Sequence, residues 1–219
     1  LAPISDSLQR ASSQRKENQR ASFGLLRKPA FYAITMSFVF FDYLCVSFQT
    51  SLVDYALDKG ISLSKAETII VYMTIPQLLG RLAIPLIADK GYMNRGTLVM
   101  INFFLLGCSL MVLPHCSTFA SLLISCLCVE TFLSLVLLMK EVLMADYFGI
   151  ENIPTCTAIG GLASLPLLLS GPAIIGVFRD SMGTYDNYYR LLAALQYFAS
   201  CLFFGIFCWD QTRKSTWTP

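Results

Sequence analysis

Six stretches of the chain are almost unbroken in apolar residues, at about 30–49, 68–88, 97–113, 119–144, 157–177 and 191–209, with short polar segments between them. The apolar residues come as whole runs, not as the single stripe of an amphipathic helix. Runs of about 20 residues at about 1.5 Å each match a hydrocarbon core of about 30 Å. The pattern therefore predicts an all-α integral membrane protein, with a six-helix transmembrane bundle over 30–209. Residues 1–29 before the bundle are polar and rich in Ser, Gln and Arg, and residues 210–219 form a short polar tail. That composition predicts a disordered tether ahead of the first helix. The opening at Leu1, with no signal-peptide pattern, predicts a piece of a longer protein.

Composition sharpens this picture. Of 219 residues, 55% are hydrophobic and 14% charged, against about 25% charged in an ordinary soluble domain. A net charge of +2 gives no electrostatic footprint for nucleic acid. The positions of the basic residues are more informative, because cytoplasmic loops collect Lys and Arg. Arg10, Arg15, Lys16, Arg20, Arg27, Lys28, Lys90, Arg95, Arg213 and Lys214 share one predicted face. Lys59, Lys65, Arg179 and Arg190 share the other, so both termini are predicted to be cytoplasmic. Of eight cysteines, only Cys116 and Cys156 read as loop residues; the rest read as small buried hydrophobes, and no metal site is expected.

The residue that most suggests chemistry is Arg81, inside the second run and eight residues before Asp89. Eight residues span about 12 Å of helix, beyond comfortable snorkelling. A guanidinium at that depth costs at least about 2.5 kcal/mol unless an anion, a partner or water meets it. Arg81 therefore reads either as a clamp for a substrate carboxylate or as a structural arginine paired across the bundle. Pro76, Gly80 and Pro85 flank it and weaken the local hydrogen-bond ladder. Asp42 and Glu130 are the other mid-run acids; either could pair with Arg81 or bind a proton. Lys140 and Glu141 read as helix-end residues, and His115 as a surface residue of a short turn. No nucleophile elbow, phosphate loop or zinc-protease motif occurs, so an enzyme is not expected.

Leu143-Met144-Ala145-Asp146-Tyr147-Phe148-Gly149, Ala158-Ile159-Gly160-Gly161, and the run from Ser170-Gly171-Pro172 to Arg179-Asp180 and Gly183-Thr184-Tyr185-Asp186 together resemble the monocarboxylate transporter family of the major facilitator superfamily. The resemblance covers about Pro29 to Trp209 and implies that the bundle is the C-terminal half of a twelve-helix fold. Residues 1–29 would then be the cytoplasmic interdomain loop. Asp89, Lys90 and Arg95 resemble the superfamily's loop that latches the inward face. Proton-coupled members carry an Asp one turn before the arginine that Arg81 matches; here that position is Gln77, which does not titrate. The difference either removes proton coupling or moves it to Asp42, Glu130 or the other half. The Gly171 to Asp186 stretch reads as scaffold and gate.

The expectation is a secondary active transporter of small organic monocarboxylates or related solutes, working by alternating access in the plasma membrane. Arg81, Gln77, Asp42 and Glu130 are its candidate substrate-binding residues, and Asp89, Lys90 and Arg95 its gating loop. No cofactor is expected beyond a possible coupled proton. The expected partners are an organic anion, the bilayer, the other six-helix half and, as in some family members, a single-span accessory membrane protein. The alternatives are a non-transporting bundle that binds a partner membrane protein, and a facilitator for another solute.

Overall fold

The computed structural model describes residues 28–88 and 94–215, without the side chains of residues 81, 83–88 and 210–215. Six long helices carry the fold: α1 (Pro29–Asp58), α2 (Leu63–Ala88), α3 (Arg95–Val112), α4 (Phe119–Phe148), α5 (Ile153–Met182) and α6 (Asp186–Ser215). Single 3₁₀ turns, Leu113–His115 and Ile150–Asn152, follow α3 and α4. No strand occurs among the described residues.

Among the described residues, five helical stretches are long and apolar enough to cross a membrane: Pro29–Asp58, Arg95–His115, Phe119–Phe148, Ile150–Met182 and Asp186–Trp209. Six spans were expected, and the one missing from this set is α2. The apolar runs predicted helices of about 20 residues, whereas α1, α4, α5 and α6 each have 30. Thirty residues make about 45 Å of helix, so these helices tilt or project beyond the hydrocarbon. The helices outrun the apolar residues because a hydrogen-bonded turn persists past the membrane surface until a cap ends it. Pro29 opens α1 from its first turn. Thr118 and Ser121 cap α4 reciprocally, each accepting from the other's backbone N–H at 3.2 Å. Gly183, at φ +69°, stops α5 in a left-handed conformation that costs glycine little.

Hydrocarbon offers no hydrophobic drive between helices, so close fit and internal hydrogen bonds must hold them together. The middle of the bundle is aromatic. Phe103 stacks on Phe203 at 5.6 Å and meets Phe41 edge-on at 6.2 Å, while Phe38 meets Phe203 edge-on at 6.2 Å. Two glycines bring helices closer than side chains would allow. A Cβ on Gly107 would lie 2.7 Å from the Tyr197 ring, and one on Gly80 would lie 2.1 Å from Ser134 Oγ. Along the α1–α6 seam, the Tyr43 and Tyr188 hydroxyls share a 3.2 Å hydrogen bond, and those of Ser51 and Tyr189 share one of 3.1 Å. Such bonds average about 0.6 kcal/mol in membranes, which makes the seam a register mark more than a source of stability.

The helix pairs in closest contact are α3 with α6, α2 with α4, and α3 with α4, followed by α1 with α6 and α5. Helix α5 is the outlier: only 11% of its apolar window is buried. Leu162, Leu165, Leu169 and Val177 are exposed along it. Cys116 lies in the loop as read, buried beside Ser125 at 3.2 Å. Other cysteine readings need correction: Cys156 lies in the first turn of α5, and Cys128, Cys201 and Cys208 are exposed.

Candidate functional site

The site begins where α2 crosses α4. Because Gly80 has no side chain, Ser134 of α4 seats directly against the α2 backbone. One turn away on each helix, Gln77 Nε2 donates a hydrogen bond to Glu130 Oε1. Glu130 is only 2% exposed, and its other oxygen, Oε2, is buried without a hydrogen-bond partner among the described residues. A buried carboxylate oxygen left bare is costly, so this position calls for a proton or a cation. Arg81 follows Gln77 by four residues on α2, about 6 Å along the axis and about 40° around it. That places Arg81 and Gln77 on one helical face. The Arg81 side chain lies outside the described residues.

Asp42 is elsewhere. Both of its oxygens accept from Lys140 Nζ, at 2.7 and 2.8 Å, which ties α1 to α4. The ammonium also lies 5.6 Å from the centre of the Phe38 ring. The Asp42 and Lys140 side chains are 25% and 17% exposed. The reading of Lys140 as a helix-end residue is therefore corrected: it is the partner of a candidate site residue. Its charge inside an apolar run is the sequence signal for that role.

Of the gating-loop residues, Asp89 and Lys90 lie outside the described residues. Arg95 opens α3 and donates through one nitrogen to both oxygens of Asp146 near the end of α4, at 2.8 and 3.0 Å. At the opposite end of the bundle is a second clamp that sequence reasoning missed. Lys59 Nζ lies 2.9 Å from Asp186 Oδ1 and donates to the Pro114 carbonyl at 3.0 Å. The Tyr55 hydroxyl reaches the Leu113 carbonyl at 2.8 Å and Asp186 at 3.0 Å. This clamp joins α1, the turn after α3, and the start of α6. Among the described residues, each bundle end is thus tied by one ion pair, and the middle holds one closed ion pair and one carboxylate with an oxygen that no described group meets.

No family model matches the chain. It is similar to monocarboxylate transporter 10 of Mus musculus, 26% identical over 167 residues, which are 74% of this chain and 32% of that protein. The human monocarboxylate transporter 10 is 29% identical over 124 residues, covering 55% of this chain and 24% of that protein. Monocarboxylate transporter 12 of Xenopus laevis is 26% identical over 183 residues, 82% of this chain and 40% of that protein. The chain thus matches well under half the length of these relatives. The helices and the relatives together identify a multi-pass membrane protein similar to the monocarboxylate transporters, which are carriers and not enzymes.

Proposed function

We propose that this chain forms one six-helix half of a secondary transporter that moves small organic monocarboxylates or related solutes by alternating access. The observation that carries the reading is the Gln77–Glu130 contact, with Glu130 Oε2 buried and open, one turn from Arg81. In this reading Arg81 is the cation that meets Glu130 at rest and the solute carboxylate during transport. Gln77 is neutral, so it holds Oε1 whether Glu130 is charged or protonated. A proton on Glu130 releases Arg81 to the solute, and its loss after solute release restores the pair. Coupling falls to Glu130 because both Asp42 oxygens are already held by Lys140. Asp42 and Lys140 brace the α1–α4 wall of the cavity.

The exposed apolar side of α5 supports a further half, or an accessory span, packed against this one. The positive-inside distribution supports cytoplasmic termini. The Lys59–Asp186 clamp then lies on the outer face and the Arg95–Asp146 pair on the inner face.

The test is uptake of radiolabelled lactate and pyruvate by the full-length protein at external pH 6 and 7.5. We expect uptake to be greater at pH 6, absent in Arg81→Ala, and little restored in Arg81→Lys, because a point charge does not reproduce the planar fork. Glu130→Gln should retain exchange of solute and lose its pH dependence. Full uptake by Arg81→Lys, or unchanged pH dependence in Glu130→Gln, overturns the assignment.

A further inference from the structure

A chamber with one polar and one apolar side lies apart from Gln77, Glu130 and Asp42, between α1 and α5 toward the end where α1 finishes. Its volume is about 450 Å³, within the roughly 300–1,000 Å³ typical of small-molecule sites. Ser47, Thr50, Ser51 and Asp54 line it from one side of α1, at the spacing that places residues on a single helical face. Gly171 and Gly176 of α5 keep it open. A Cβ on Gly171 would already be in contact with the Tyr43 ring at 3.5 Å, and one on Gly176 would come within 4.0 Å of Asp180 Oδ2.

Hydrogen accounting gives the chamber its chemical sign. Thr50 donates its hydroxyl hydrogen to the Val46 carbonyl at 2.8 Å, and Ser51 donates to the Ser47 carbonyl at 2.7 Å. With its hydrogen spent, Ser51 must accept from Tyr189. With its hydrogen committed to the backbone, the exposed Thr50 hydroxyl presents lone pairs to the chamber. Asp54 and Asp180 add two carboxylates, and neither belongs to an ion pair among the described residues. Arg179 is the cation at the rim. Leu168, Pro172 and Ile175 supply an apolar wall opposite. The chamber carries two carboxylates against one guanidinium, and is apolar on one side.

We infer that this chamber is a second solute-binding site, taking a small organic ammonium whose N–H groups meet Asp54, Asp180 and the Thr50 hydroxyl oxygen while its apolar group lies against Leu168, Pro172 and Ile175. The stretch from Gly171 to Asp180 thus serves as binding surface as well as scaffold.

The probe is benzylammonium, titrated calorimetrically into the full-length protein in detergent, with benzyl alcohol and benzoate as isosteres. Benzylammonium should bind more tightly than either isostere, and Asp54→Asn with Asp180→Asn should weaken it at least tenfold. Both aspartates are exposed, so the amides should not disturb folding. Gly176→Leu should abolish binding by filling the chamber without changing any charge. Arg81→Ala should leave it unchanged, which separates this site from the carboxylate site. Binding that survives either chamber variant at full strength, a preference for benzoate that Arg179→Gln removes, or no benzylammonium binding at millimolar concentration overturns the inference.

Discussion

Gly80→Ala is the sharpest probe of how the α2–α4 crossing builds the site. The new methyl would sit 2.1 Å from Ser134 Oγ and 3.0 Å from Ser134 Cβ. Rotating the serine hydroxyl relieves the first contact, but only by breaking its 2.8 Å hydrogen bond to the Thr131 carbonyl. The second contact remains whatever the rotamer, so the helices must part by a few tenths of an ångström. Overpacking of this kind costs about 1–3 kcal/mol, and the lost hydrogen bond about 1 kcal/mol more. Replacing glycine by alanine inside a helix returns about 1 kcal/mol. The net expectation is a loss of about 1–3 kcal/mol. Ser134→Gly removes both clashing atoms and leaves only the Thr131 carbonyl, at 4.0 Å. The double variant should therefore recover about 2 kcal/mol relative to the sum of the singles. Reversible unfolding in mixed micelles measures all four corners of the cycle, and uptake assays run beside it. Gly80→Ala should also depress uptake, since one turn away the same displacement pulls Gln77 from Glu130. Strict additivity of the two substitutions would refute the packing argument, and normal uptake in a measurably destabilised Gly80→Ala would refute its link to the site.

Two further outcomes follow from the ion pairs. Lys140→Met strands Asp42 in the bundle and should cost about 3 kcal/mol, whereas the Asp42→Asn, Lys140→Met double variant should lie within about 1 kcal/mol of the parent; the same unfolding assay decides, and a neutral single variant would show that the pair is not desolvated. The Arg95 and Asp146 side chains are 42% and 40% exposed, so Arg95→Ala should change stability by less than about 1 kcal/mol. Its uptake should nevertheless fall, and the reciprocal Arg95→Asp, Asp146→Arg exchange should restore it if the pair is a latch.

The apolar runs made the membrane class and the helical bundle legible, because lipid demands long apolar segments with satisfied backbones. Helix ends were less legible: α5 begins at Ile153 and reaches Met182, and its ends depend on Pro154 and Gly183, not on where the apolar residues stop. The clamp of Tyr55, Lys59 and Asp186 was illegible for another reason. Its members come from α1 and α6, with acceptors in the turn after α3, and no local pattern brings those segments together.

Within the site, depth was readable from sequence and azimuth was not. Asp42 and Glu130 sit well inside apolar runs while Lys140 reads as a helix-end residue, and on depth alone either acid could answer Arg81. Glu130 and Lys140 are ten residues apart on α4, which turns their side chains about 80° from each other around the axis. That rotation is enough for one to face α2 and the other α1. The face toward α2 meets a neutral amide and leaves an oxygen with no partner among the described residues, while the face toward α1 meets a carboxylate and closes. On the proposed reading, the same helix carries a fixed brace and an acid that exchanges partners. Glu130→Gln and Lys140→Met should accordingly part company: the first should alter coupling with little loss of stability, and the second should destabilise the bundle with the pH profile of any remaining uptake preserved.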